Sequence, residues 1–310
     1  MEHSIYRYAD VGLIHFMAYP QTMRGDGPIL ETLREIAADP FFTAVEVTRM
    51  DDPAVRREAA ALLEQAGMKV AFGAQPALLS RKLSLCDLDE SGRQAAVAQV
   101  RECIDQAYEL NACGLAVLSG PAPADPARYP EATDRLVDSL LALCDYAAAR
   151  GSMPLSLETF DRVSYGKGAL IGPTPEAVAL SRRVRAHFPS FGLMVDLSHL
   201  PLLRETAREC LEAVSEHLVH VHIGNCVMRD STHPAYGDEH PRFGIAGGEN
   251  GVEELRVFLQ ELLRIGYLSP VQPRILSFEV KPIAAFGESS ATVIANSKRF
   301  LQKAWALVDA

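Results

Sequence analysis

Residues 218–225 read "LVHVHIGN", a run that alternates apolar and polar side chains from Val219 to Ile223. A β-strand repeats every second residue, so such a strand projects His220 and His222 to the same side. Two imidazoles on one face of a core strand are either a pair of buried histidines with hydrogen-bond partners or part of a metal or substrate site. The rest of the chain decides between these.

Runs of the same kind recur on both sides. Upstream stand "VGLIHFM" near residue 11, "TAVEVT" from Thr43, "MKVAFGA" from Met68, "GLAVLSG" from Gly114, "MPLSLET" from Met153 and "FGLMVDL" from Phe191; downstream stands "RILSFEV" from Arg274. Between them lie amphipathic helical patterns such as "DPAVRREAAALLEQAG" and "GVEELRVFLQELLRIG", the second closing on Gly266 as its C-cap. Strand–helix alternation implies parallel strands joined by right-handed crossovers. Eight such units in 310 residues fit a closed (β/α)8 barrel better than an open sheet. An open doubly wound fold calls for a GxGxxG turn after the first strand, and "HFMAYPQT" stands there instead. No linker or low-complexity segment divides the chain, so a single domain over residues 1–310 is expected, with long loops after strands 5 and 7.

Composition narrows the function. Hydrophobic residues make up 48% and charged residues 23%, as in a globular protein with a large core. The formal charge of −10 argues against a nucleic-acid partner, because binding to phosphate backbones draws on clustered Lys and Arg. The one basic cluster, "SRRVR" at 181–185, reads as the solvated face of a helix. The opening "MEHSIYRYAD" lacks a basic segment followed by an apolar one, and no apolar run approaches the ~18 residues of a membrane span. The six cysteines are scattered without a CxxC pair, which suits reduced thiols. Together these features predict a cytoplasmic protein with no membrane contact.

In a barrel the chemistry sits at the C-terminal ends of the strands. Strand 5 ends in Glu158 ("LSLETFD"), strand 6 in Asp196 ("LMVDLSHL"), strand 7 in His222 and strand 8 in Glu279 ("LSFEVKP"). Singly, each reads as a helix cap, an ion-pair member or a core histidine. Three carboxylates converging without an arginine repel one another unless a cation neutralises them. Oxygen and imidazole donors without sulfur suit Mn²⁺, Mg²⁺, Co²⁺ or Zn²⁺. His222 is therefore read as a ligand, and His220, one layer deeper, as its supporting partner or plain core.

The segments "LSLETFD", "MVDLSHL", "HVHIGN" and "LSFEV" resemble the xylose isomerase-like barrel superfamily, which includes ketose 3-epimerases, inosose dehydratases and endonuclease IV. The resemblance spans nearly the whole chain. It implies one divalent metal ion, Mn²⁺ foremost, on Glu158, Asp196, His222 and Glu279. It also implies that the two glutamates exchange a proton on opposite faces of the substrate. His199, three after the aspartate, would touch substrate or a second metal. The "DEH…GENG" order in the loop after strand 7 is similar to an endonuclease IV loop and would bring Asp238 and His240 to a second metal beside His199. The histidines that endonuclease IV places after strands 3 and 4 are missing here ("AFGAQPALL", "AVLSGPAPA"), so Asp238 and His240 are read first as substrate or loop contacts. "AYGDxHPRFG" followed by "LSFEVKP" also looks like the α subunits of C-glycoside deglycosidases, which cleave 3-keto glycosides.

The expected chemistry is proton abstraction next to a carbonyl, with the resulting enediolate stabilised by the cation. Returning the proton elsewhere makes an isomerase or epimerase of a sugar or keto-sugar. Expelling a β-substituent makes a lyase or dehydratase, and a sugar-binding barrel without catalysis is the third reading. Lys281 would polarise a carbonyl or protonate a leaving group. Further substrate contacts are expected at His15, Glu46, Gln75 and Arg242. The two long loops would act as lids. No phosphate cradle follows strand 7 and only a weak one ("AFGESS") follows strand 8, favouring an unphosphorylated substrate. The partners expected are this small molecule and a second copy of the chain or a small subunit.

Overall fold

The computed structural model describes residues 3–309. Eight strands form a closed parallel barrel in sequential order: β1 (Ala9–Ile14), β2 (Ala44–Val47), β3 (Lys69–Gly73), β4 (Leu115–Val117), β5 (Leu155–Glu158), β6 (Gly192–Asp196), β7 (Leu218–Gly224) and β8 (Arg274–Glu279). All eight apolar runs are strands, each within a few residues of the expected ends. β1 is the exception that matters. It stops at Ile14, and "HFMA" turns into a short helix, His15–Ala18.

Alternation sorts the side chains. Val45, Val47, Leu157, Val195, Val221, Ile223 and Phe278 point outward into the main apolar core beneath the helices. The intervening positions Glu46, Glu158, Asp196, His220, His222 and Glu279 point into the barrel. Closure brings β1 against β8 at Gly12↔Ser277. A Cβ at Gly12 would stand 2.3 Å from Ser277 Oγ, so any larger residue there would have to displace that hydroxyl.

The helices begin where the sequence signals them. Asp52 caps Pro53–Gln65 by accepting from Ala54 N at 2.7 Å, with proline in the first turn. Helix Val252–Arg264 ends before Gly266, whose φ of +75° is the left-handed turn that a glycine allows. Among the described residues no helix is long and apolar enough to cross a membrane.

Two loops rise over the C-terminal end of the barrel, between β5 and helix Thr174–Arg185 and between β7 and helix Val252–Arg264. The first wraps around Asp161, whose carboxylate accepts from Val163 N at 3.0 Å and Lys167 N at 2.8 Å. The second is closed at its base by two buried asparagines. Asn225 Oδ1 accepts from Asn250 N at 2.7 Å, and Asn250 Nδ2 donates to Gly224 O at 3.0 Å. The loops clasp each other: Tyr165 stacks on Tyr236 with ring centroids 4.8 Å apart, and Lys167 Nζ lies 3.1 Å from Asp238 Oδ2.

Candidate metal centre

The ends of β5, β6, β7 and β8 bring Glu158, Asp196, His222 and Glu279 together, each with a donor atom within 4.8 Å of every other. Two ligands of one ion at ~2.0–2.4 Å stand at most about 4–5 Å apart, so the spacing is that of a shared coordination sphere. All four are buried. Glu158 Oε1 and Asp196 Oδ2 are buried with no hydrogen-bond partner among the described residues. Each faces only an imidazole nitrogen at 3.6 Å, His222 Nδ1 for Glu158 and His240 Nδ1 for Asp196. Buried anionic oxygens without hydrogen bonds are costly, and a cation among them would relieve that cost. The donor set fits a divalent metal ion.

Three of the four candidate ligands are held from behind. Gln75 Nε2 donates to Glu158 Oε2 at 2.8 Å, and Ser198 N donates to Asp196 Oδ1 at 2.7 Å. His222 turns Nδ1 toward the ligand cluster, 2.8 Å from Glu279 Oε2, and Nε2 toward Glu46, 3.0 Å from Oε2. Glu46 is steadied in turn by His220 Nε2 at 2.6 Å from its Oε1. The two histidines of the opening stretch thus share one carboxylate. Glu46 fixes the ring of His222, as carboxylates commonly do for metal-bound imidazoles.

Electrostatics follow from this crowding. Burial opposes charge on His222, but Glu46 and the flanking carboxylates outweigh it and raise its pKa well above the usual 6.5. Burial and the Glu279 carboxylate push Asp196 up. Burial would also push Glu279 up, yet His240 and His222 hold it below the ordinary carboxylate range. Because the imidazolium of His222 must lose its Nδ1 proton to ligate, cation uptake at neutral pH is expected to release about one proton from this residue and to tighten as pH rises. Calorimetry of metal binding in buffers of different ionisation enthalpy reads this directly, and uptake without proton release would contradict it.

A cavity of about 370 Å³ opens above the cluster. Gln75, Asp238, His240 and Lys281, all candidate substrate contacts, line it, and Gln75 Oε1 has no hydrogen-bond partner among the described residues. His240 adopts a left-handed φ of +48°, and its Nε2 lies 2.8 Å from Asp238 Oδ1. Burial would raise the pKa of Asp238, but His240, His199 and Lys167 hold it well below the carboxylate range. Lys281 pairs with Glu239 at the rim.

Four other expected contacts are engaged by protein partners, and one of them, His199, also groups with Asp196 and His240 in a donor set that could hold a metal ion. Glu46 reaches the cavity wall, but its carboxylate is engaged by the two histidines. His199 does not line the cavity; it is fully buried behind Asp238, with Nδ1 2.8 Å from Thr159 O and Nε2 3.3 Å from Asp238 Oδ1. Arg242 stands outside it, donating from Nε to Glu288 Oε1 at 2.8 Å. His15 also lies outside, because Ile14 takes the inward position and the chain then turns into a helix. Its Nε2 lies 2.7 Å from Thr32 Oγ1. Burial lowers the pKa of His15 to about 3. The folded chain keeps it neutral while the unfolded chain takes up a proton near pH 6.5, so its stabilising contribution is whole above that pH and is lost as pH falls toward 3. This one group contributes a slope of about 1.4 kcal/mol per pH unit across that window. The variant His15→Gln is expected to lose that slope in urea titrations at pH 6.5 and 4.5, and an unchanged pH dependence would count against the assignment.

The structure adds residues that carry no sequence signal of a site. Phe16, Met17 and Phe160 supply apolar wall, and Lys167 enters from the loop after β5.

Comparison with known proteins agrees with this architecture. No curated protein sequence matches the chain. Among solved structures, D-psicose 3-epimerase from Clostridium cellulolyticum H10 superposes with a TM-score of 0.69 at 14% identity, over 97% of this chain and 100% of that one. The 3-keto-D-glucoside 4-epimerase YcjR from E. coli gives 0.62 at 16% identity, over 96% and 99%. The IOLI protein, solved with a bound zinc atom, gives 0.72 at 13% identity, over 97% and 99%. At such identities the likeness is one of fold. A family model, described as xylose isomerase-like TIM barrel, matches residues 34–303. The chain belongs to the xylose isomerase-like TIM barrel family.

Proposed function

We propose that this chain is a divalent-cation-dependent isomerase or epimerase of a sugar or keto-sugar. The observation that carries the reading is the convergence of Glu158, Asp196, His222 and Glu279 under one cavity, with two of their oxygens lacking a hydrogen bond among the described residues. A divalent cation held there would polarise the oxygens of an α-hydroxy ketone and acidify the carbon-bound proton beside them. The zinc of the IOLI protein supports a cation of this kind, and the oxygen-rich donor set suits Mn²⁺ equally.

The chain's own residues then divide the work. Glu158, held at Oε2 by Gln75, presents Oε1 to take the proton from carbon. Glu279, on β8, is kept ionised by His240 and His222 against the effect of burial and serves as the second proton carrier. A proton taken by one glutamate and returned by the other, across the substrate, inverts or relocates the stereocentre. Gln75 Oε1 is free to accept a substrate hydroxyl, while Phe16, Met17 and Phe160 exclude water from the face they cover.

The test is proton exchange. The metal-loaded protein is incubated in D₂O with ketoses, inososes and 3-keto glucosides, and solvent deuterium is expected at the carbon beside the carbonyl of at least one of them. Absence of deuterium from every compound would sink the reading. Lys281 favours a second one: an ammonium in the cavity wall can protonate a leaving group and so complete a β-elimination. An unsaturated or cleaved product, in place of an isomer, would select that lyase alternative.

A further inference from the structure

The barrel has a second opening, at the N-terminal end of its strands, that leads into a cavity of about 380 Å³. It exists because lower-barrel positions carry Ala71, Ala116 and Ser156, with Gly114 at the mouth, where barrels of this kind generally stack bulky branched residues. A Cβ at Gly114 would meet nothing nearer than Pro154 O at 3.8 Å. Glu46 lines this cavity as well as the catalytic one, and its 2.6 Å contact with His220 makes the partition between them.

Most charged groups on the lower wall are already committed. Lys69 pairs with Asp10 at 2.5 Å, and His220 Nε2 is engaged by Glu46. Arg274 differs, because no carboxylate pairs with it among the described residues. Its Nη1 donates to Leu218 O at 3.0 Å, and its guanidinium carbon lies 5.3 Å from the Tyr267 ring centroid. The other donors of the fork remain uncommitted. Much of the remaining wall is apolar, from Ala71, Ala116, Val219, Pro273 and Ile275. An uncommitted guanidinium in such a chamber matches a ligand with an anionic, planar head and an apolar body. The fork geometry favours a carboxylate head, and the body gains by leaving water.

We propose that the N-terminal mouth of the barrel is a binding site for a small organic carboxylate, its head on Arg274 and its body against Val219, Ile275 and Pro273. This site is separate from the proposed reaction and stands or falls without it.

Cys113 lines the cavity and is exposed, whereas the other five cysteines are buried. Its alkylation by the neutral reagent iodoacetamide therefore reports occupancy at this place. Benzoate is the probe. It is expected to slow Cys113 alkylation saturably, with a midpoint equal to its calorimetric Kd. Benzamide, which keeps the shape without the charge, and inorganic phosphate, which keeps the charge without the body, are each expected to bind at least about tenfold more weakly. Arg274→Gln is expected to weaken benzoate by a similar factor. Failure of benzoate to protect Cys113, benzamide binding as tightly as benzoate, or wild-type affinity in Arg274→Gln would overturn the proposal. The benzoate–benzamide comparison uses the unmodified chain, so the result stands even if that variant does not fold.

Discussion

Glu158→Gln is expected to lower the rate of solvent deuterium incorporation by about 10²–10⁴-fold, the range over which a positioned general base contributes. The substitution keeps the side chain's shape. Its amide oxygen can still accept from Gln75 Nε2, which now donates to Glu158 Oε2 at 2.8 Å. What disappears is the negative charge and the unpartnered oxygen, Oε1, that faces the cluster. The cation also loses one of its four donors, so activity must be read at saturating metal, with bound metal measured in the same sample. Unchanged circular dichroism would show that the barrel is intact. A variant exchanging deuterium at the wild-type rate with metal bound would remove Glu158 from the chemistry and leave Glu279 as the sole proton carrier, which cannot work from both faces of a substrate. Glu279→Gln should leave a smaller residual asymmetry: one direction of exchange is retained if Glu158 still removes the proton.

The difference between what the sequence announced and what it concealed has a physical basis. Within a strand the period is two, so once the eight runs are recognised, parity decides which residues face the barrel. Glu158, Asp196, His222 and Glu279 each occupy the last inward position of a parallel strand or the one before its end, and closure brings those positions together. Glu46 was legible as inward by the same parity, with Val45 and Val47 packed outward. Its role was not legible, because its partners His220 and His222 lie across the barrel and only the closed fold joins them. Beyond the strand ends parity fails. The turn into a helix after Ile14 takes His15 to Thr32 and gives the cavity Phe16 and Met17 instead. Local loop structure decides the rest: Asp161 gathers backbone amides and thereby delivers Lys167 to Asp238, while Arg242 is taken by Glu288.

Asp196→Asn separates the two consequences of crowding carboxylates, because it should change the metal-free and metal-loaded proteins in opposite directions. Asp196 is fully buried; burial first, and then the Glu279 carboxylate, raise its pKa above the usual 3.8. A carboxyl whose pKa is raised by folding adds stability below the unfolded pKa and forfeits it as pH climbs through the folded value. At neutral pH the ionised group is therefore a liability to the metal-free fold. Asparagine retains the acceptor that Ser198 N uses at 2.7 Å and discards the charge. The metal-free variant is expected to melt about 1.5 °C higher at pH 7, the shift that roughly 1 kcal/mol produces in a chain of 310 residues. With the cation present the order reverses. Losing an anionic ligand weakens binding by more than the 10–100-fold typical of losing a supporting partner, and stabilisation by a ligand grows only as RT ln(1 + [L]/Kd). Scanning calorimetry of both proteins with EDTA and with excess Mn²⁺ gives the four melting temperatures required. If the cation raises the melting temperature of Asp196→Asn as much as that of the wild type, Asp196 holds no metal. If removing the charge destabilises the metal-free fold, the carboxylates at these strand ends were never in conflict, and the electrostatic reason for placing a cation among them is gone.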